Sequence, residues 1–223
     1  MQKISIILAG GEGKRFGLTK QFVPINNIPL FIYTLKIFKN IPKILVVPKK
    51  FKDITISIIE QNNINDVKVI EGGNSRQKSV YNALSYLKEQ NYKGKVIITD
   101  ANRPLLKTKT IIQCFDYLKN YDGIITVCKS INTTCRIKDK KLEHIYDRTY
   151  MFDLLMPQCF DFNKLYKAHK NTKLKNATDD TQILLSYNKN AKIKTIEISF
   201  WEGLKLTHLK DYKIFKYLLK EEK

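Results

Sequence analysis

The sequence predicts an α/β fold, a mostly parallel central sheet with helices on both faces. Two observations predict it. Nearly continuous apolar, β-branched runs of four to six residues, the pattern of strands buried on both faces, alternate with longer stretches of helical period. Glycine-rich segments follow directly on two of those runs. Strand–helix units in series pack into a parallel sheet covered on both sides.

In chain order, strands are expected at 4–8, 44–47, 67–70, 96–99, 123–127 and 193–198. Helices are expected at 30–38, 51–61, 76–89 (behind a Ser75 cap) and 110–119, then at 164–169 and 179–187. A last helix falls near 209–219, where Leu209, Tyr212, Phe215, Leu218 and Leu219 recur at three-to-four spacing. The alternation weakens over 128–150. There 133–137, the polar turn 138–141 and 142–146 read as a β-hairpin inserted into the fold. With no repeat and no Gly/Ser-rich linker, the simplest organisation is one domain over 1–223 with an arm at about 130–147.

Composition narrows the function classes. The chain has 223 residues and 40 Lys+Arg against 21 Asp+Glu, a formal net charge of +19. That charge suits a nucleic-acid partner, but the lysines are dispersed and lack aromatic–basic interleaving, so a solvated lysine surface is the better account. Only five of the basic residues are arginines: Arg15, Arg76, Arg103, Arg136 and Arg148. An arginine fork grips phosphate or carboxylate in a way lysine cannot, which directs attention to those places. Cys114, Cys128, Cys135 and Cys159 lie far apart with no C-x-x-C pair, against a zinc ribbon or a disulfide framework. His144, His169 and His208 have no metal-ligand spacing. No run is long enough for a membrane span and the first apolar stretch is too short for a signal-peptide core, so a cytoplasmic protein is expected.

Four segments at strand ends carry chemistry. The first is Ala9-Gly10-Gly11-Glu12-Gly13-Lys14-Arg15, followed by Lys20-Gln21-Phe22. Small residues there let backbone N–H groups approach phosphate. Arg15 where a Walker A loop needs Ser or Thr, and Phe16 where a dinucleotide loop needs Gly, set both of those families aside. The second is Gly72-Gly73-Asn74-Ser75-Arg76-Gln77-Lys78-Ser79, whose polar groups can read a base edge or simply cap a helix. The third, Asp100-Ala101-Asn102-Arg103-Pro104, offers either a magnesium-binding carboxylate or a buried Asp–Arg pair that fixes the loop. The fourth, Trp201-Glu202-Gly203-Leu204-Lys205, brings an acid and an ammonium back to the same sheet edge.

Together with Pro157-Gln158-x-Phe160, Thr178-Asp179 and Leu204-Lys205-Leu206-Thr207, these motifs give the chain, over essentially its whole length, a resemblance to the IspD-like cytidylyltransferases. That group includes enzymes acting on 2-C-methyl-D-erythritol 4-phosphate and on ribitol 5-phosphate. The resemblance implies a Rossmann-like nucleotidyltransferase fold and transfer of CMP from CTP to a phosphorylated polyol, with pyrophosphate released. It implies that Arg15, Lys20 and Lys205 hold the reacting phosphates, and that Asp100 with Glu202 binds Mg²⁺. By the same match Ala9, Gly10, Gly73, Asn74, Arg76 and Ser79 surround the cytidine, with Ala101 near the ribose, and Gly11 and Asp100 also bind the nucleotide. Thr133 and Arg148 match residues that reach the acceptor phosphate in a neighbouring active site, so a homodimer joined through the arm is implied.

The physics agrees with that assignment. The acceptor phosphate is already ionised, so catalysis is a matter of fixed cations facing two anionic reactants and a leaving pyrophosphate. The chain also departs from the family pattern. Only four residues separate Arg15 from Lys20, Thr19 stands where proline is common, and Asn132 stands where an Asp usually precedes the arm threonine. Asn102 and Glu202 also differ from common choices. The Ala9-Gly10-Gly11 start resembles the surface-polymer branch, so a ribitol 5-phosphate-like acceptor is the first expectation. Methylerythritol phosphate of the isoprenoid pathway, toward which Glu202 leans, is the alternative.

Overall fold

The structure, a computed structural model, describes residues 2–10, 22–208 and 211–221. Its frame is a seven-stranded sheet built from β1 (Gln2–Leu8), β4 (Lys43–Val47), β5 (Val67–Glu71), β6 (Gly94–Asp100), β7 (Gly123–Lys129), β10 (Phe152–Asp161) and β11 (Ile193–Glu197). The spatial order is β11-β7-β10-β6-β1-β4-β5. Every pairing is parallel except those of β10, which runs antiparallel between β6 and β7.

The period of two along each strand divides the interior. Ile7, Leu45, Val47, Ile97 and Cys159 face one core, closed by α1 (Leu30–Ile37), α2 (Lys52–Gln61) and α4 (Thr108–Tyr117). Ile6, Leu8, Ile44, Val46, Val96, Ile98 and Phe160 face the other, closed by α3 (Arg76–Glu89), α5 (Phe162–Asn171) and α6 (Asp180–Tyr187). Thus the apolar runs of β1, β4, β6 and β7 are two-faced strands and helices do lie on both sides, whereas the runs of β5 and β11 form the sheet's edges and leave Lys68 and Thr195 exposed. The cysteines are all free, and burial pushes the Cys114 thiol up to about 12, which leaves it inert.

A third cluster bears on function. Val23, Ile25, Leu30 and Leu105 pack with Leu206 and with Phe215 and Leu219 of α7 (Tyr212–Glu221). Val23 and Ile25 come from the small hairpin of β2 (Pro24–Ile25) and β3 (Ile28–Pro29) and the residue before it. The C-terminal helix therefore clamps the loop after β11 by way of the fully buried Leu206.

The hairpin expected at about 130–147 is present as β8 (Cys135–Lys138) and β9 (Lys141–Ile145). Its turn places Asp139 and Lys140 at φ 47° and 64°, left-handed conformations that Asp tolerates better than Lys. The sequence reading assigns no strand between 147 and 164, and β10 corrects it. Pro157 interrupts that apolar run, and the structure absorbs it at a register shift between Leu155 and Gln158, where no ladder N–H is required.

Candidate active site

The carboxyl ends of β1, β5 and β6 open on the same edge of the sheet, where α/β sheets bind ligands. β1 ends at Leu8, and Ala9 N–H continues the pairing by donating to Val46 O at 2.8 Å. Gly10 follows with room beside it: among the described residues a Cβ there would meet only Ser79 Oγ, at 3.8 Å. Across the edge, Ser75 caps α3 by accepting from Lys78 N at 3.1 Å. Ser79 Oγ, in the first turn of α3, accepts from Gly73 N at 3.0 Å and donates to Ser75 O at 2.9 Å. The Gly73 turn thus folds tightly onto its helix; a Cβ on Gly73 would fall 2.6 Å from Lys78 Cβ. Asn74 is exposed at the tip of that turn.

At the end of β6, Asp100 gathers cations. Its Oδ2 is 3.0 Å from Arg103 Nε and 3.0 Å from Lys205 Nζ. Burial raises the Asp100 pKa, but Lys205, Arg103 and Arg76 outweigh it and hold the carboxyl well below the usual carboxylate range. The buried Asp–Arg pair and the charged site are therefore one arrangement. Arg103 also donates through Nη1 to Gly203 O, tying the β6 loop to the loop that carries Lys205. Ala101 is anchored on both sides: its N–H donates to Leu8 O at 2.9 Å, and its carbonyl accepts from Thr34 Oγ1 at 2.9 Å.

Asn102 completes the clamp, a role the sequence reading does not assign. Its Nδ2 donates to Leu206 O at 2.7 Å, while its carbonyl accepts from Leu206 N at 3.1 Å. Lys205 is thereby fixed on its C-terminal side by a two-bond bracket, with Leu206 locked in the third core. The signal for this was the polar residue two places past Asp100 in a loop otherwise made of Ala, Arg and Pro.

Glu202, expected to share a metal with Asp100, is engaged elsewhere. Its buried Oε1 accepts from Thr110 Oγ1 and, at 3.2 Å, from Lys107 N, so it holds the start of α4. Among the described residues no group of three or more His, Cys, Asp or Glu side chains is gathered for a metal. Trp201, 53% exposed beside Phe200, is a rim residue.

Arg76 lies at the start of α3 and pairs with Asp180 through Nη2 and Oδ2 at 2.7 Å. Thr133 and Arg148 are exposed near the arm, and Arg148 Nη1 donates to Ile131 O at 3.3 Å. Lys129, Ser130, Ile131, Arg148 and Thr149 line a cavity of about 350 Å³ there. Gly11, Arg15 and Lys20 lie outside the described residues. The described part of the edge brings together Ala9, Gly10, Gly73, Arg76, Ser79, Asp100, Ala101 and Lys205, whereas Thr133 and Arg148 belong to the arm region. Such an edge, with small residues, ordered N–H groups and clustered cations, is suited to a nucleotide and its phosphates.

Comparison with known proteins supports that reading. The family described as 2-C-methyl-D-erythritol 4-phosphate cytidylyltransferase (IspD) matches residues 4–221. An enzyme of that name from Clostridium beijerinckii is 36% identical over 214 residues, covering 86% of this chain and 93% of its own. One from Petrotoga mobilis is 33% identical over 222 residues, covering 95% and 96%. In fold, a 4-diphosphocytidyl-2C-methyl-D-erythritol synthase from Anaerococcus prevotii superposes with a TM-score of 0.84 over 98% of this chain and 96% of its own, at 24% identity.

Proposed function

The chain belongs to the 2-C-methyl-D-erythritol 4-phosphate cytidylyltransferase (IspD) family and is a CTP-dependent cytidylyltransferase, and we propose that its acceptor is 2-C-methyl-D-erythritol 4-phosphate. The single observation that carries the site assignment is the Asp100–Lys205–Arg103 cluster at the end of β6. The acceptor reading rests on the relatives' names. They favour the isoprenoid alternative over the ribitol 5-phosphate reading suggested by the Ala9-Gly10-Gly11 start.

In this reading an acceptor phosphate oxygen attacks the α-phosphorus of CTP in line. The new O–P bond forms as the bond to the β-phosphate oxygen breaks, and pyrophosphate leaves with the electron pair. Lys205 meets the charge that builds at the α-phosphate, and Asp100 keeps its ammonium in place. Arg15 and Lys20 hold the triphosphate. Ala9, Gly10, Gly11, Gly73, Asn74, Arg76 and Ser79 enclose the cytidine, with Ala101 at the ribose.

Magnesium fits this set with one protein carboxylate. Among the described residues the cation contacts of Asp100 fall on Oδ2, which leaves its carboxylate able to hold a magnesium ion that would arrive with the triphosphate and would supply charge neutralisation there. Glu202 is assigned to α4 instead.

Two copies of the chain complete each other's acceptor site through the arm, with Thr133 and Arg148 reaching the acceptor phosphate. Exposed Ile137, Leu142 and Ile145 on the hairpin support this, because a lone hairpin seldom leaves three such side chains in water. The deciding experiment follows pyrophosphate from CTP and Mg²⁺ with either acceptor. Faster release with methylerythritol phosphate is expected. Faster release with ribitol 5-phosphate restores the other reading, and no release with any polyol phosphate overturns the site assignment.

A further inference from the structure

Two buried ionisable groups, Asp180 and His169, have no part in the reaction just described, yet both lie behind Arg76, which does. Asp180, the first residue of α6, has a side chain wholly removed from solvent. Its Oδ2 holds Arg76 Nη2 at 2.7 Å, and its Oδ1 lies 3.0 Å from Nε2 of His169, itself fully buried on α5. An ionised carboxylate only accepts, so His169 donates its Nε2–H, and Nδ1 is left buried without a partner among the described residues. The Asp180 carboxyl is held below its ordinary pKa: burial pushes it up, but Arg76 and His169 overcome that.

Buried charge pairs of this kind add little net stability, because desolvation offsets attraction. What they supply is fixed geometry. Here the geometry has an unused end: Arg76 Nη1 is buried and has no partner among the described residues. An unpaired buried donor is costly, and it persists where something outside the protein completes it. Arg76 is the first residue of α3, directly after the turn in which Gly73 folds against Ser79, so its side chain runs from the turn that borders the nucleotide edge to Asp180, and its charge also acts on Asp100.

We infer that Asp180, held in turn by His169, is a positioning residue that orients the Arg76 guanidinium so that Nη1 serves the bound nucleotide. The inference rests on the cytidylyltransferase reading. It assigns work to two residues that touch no substrate, and it differs from a mere staple of α3, α5 and α6. A staple affects both substrates alike; an oriented donor affects CTP alone.

The test measures CTP binding by calorimetry without acceptor, and KM for each substrate in turnover. Asp180→Asn keeps the volume and removes the charge. It is expected to weaken CTP binding about tenfold, the size of one misdirected charge-assisted hydrogen bond, with acceptor KM unchanged. His169→Gln, which retains a donor, is expected to keep CTP affinity near normal, and His169→Leu to lose it as Asp180→Asn does. Should Asp180→Asn fail to fold by circular dichroism, the His169 pair decides alone. Unchanged CTP affinity in folded Asp180→Asn and His169→Leu, or equal losses for CTP and acceptor, overturns the positioning role while leaving the enzyme reading intact. An unmodified chain that binds no CTP overturns both.

Discussion

Lys205 Nζ lies 3.0 Å from Asp100 Oδ2, joining a loop after the last strand to the end of β6. The Lys205 side chain is 42% exposed, so this ion pair is worth little as a source of stability. Its value is positional: an ammonium held at a sheet edge, partly open to whatever binds there.

Removing that ammonium should therefore affect rate far more than folding. Lys205→Ala is expected to lower kcat by about 10² or more, the scale for deleting one preorganised charge-stabilising group, with Tm nearly unchanged. Pyrophosphate release and thermal unfolding together check it. A folded variant turning over at the normal rate removes Lys205 from the mechanism.

Asn102 should show a different signature. Asn102→Ala deletes the Nδ2 bond to Leu206 O but leaves the backbone bond from Leu206 N intact. The expected stability cost is about 1 kcal/mol. A loosened bracket lets Lys205 stray from its place, so kcat should fall by about tenfold, less than for removing the ammonium itself. Denaturant titration and steady-state kinetics measure the two quantities. A stability loss with no change in kcat would show that Leu206 and α7 alone fix the loop.

These particulars show which parts of the molecule were legible in its sequence. The two-faced strands around Ile6–Ile7 and Ile97–Ile98 were, because one residue in two serves each core and leaves an unbroken apolar run. The meeting of Asp100 and Lys205 was, because both lie at or past the carboxyl ends of parallel strands that share one sheet edge. β10 was not, since Pro157 breaks the pattern and only a register shift in three dimensions accommodates it. Nor was Glu202, whose partners Thr110 and Lys107 lie far away in the chain and leave no local trace. Asp180 was hidden in a helix-start motif where the adjacent Asp179 already accounts for capping, through Thr181 N at 2.8 Å.

Glu202 gives a prediction that separates a structural from a metal-binding carboxylate. Glu202→Ala strands the Thr110 hydroxyl and the Lys107 N–H in a buried place, at an expected cost of about 1–3 kcal/mol. Glu202→Gln keeps an accepting oxygen and should cost less. Neither should raise the Mg²⁺ concentration needed for half-maximal rate. A several-fold rise in that requirement for folded Glu202→Gln would return Glu202 to the metal.

The buried carboxylates should also govern stability in acid. Burial works to raise both carboxyls, but Lys205 and Arg103 beside Asp100, and Arg76 and His169 beside Asp180, hold them below the ordinary carboxylate range. The folded state therefore binds fewer protons than the unfolded one in this range. The stability these groups contribute is fully present above about pH 5 and is lost as pH falls through 4 toward the lower folded values. Urea unfolding at pH 6, 5, 4 and 3 should show a steep decline below 5 in the unmodified chain. Asp100→Asn removes one of the two titrations, so it should start from a lower stability at pH 6 and decline less steeply between 5 and 3. An acid limb of unchanged slope in that variant would mean that Asp100 is not held ionised by Lys205 and Arg103, and would undercut its place at the centre of the site.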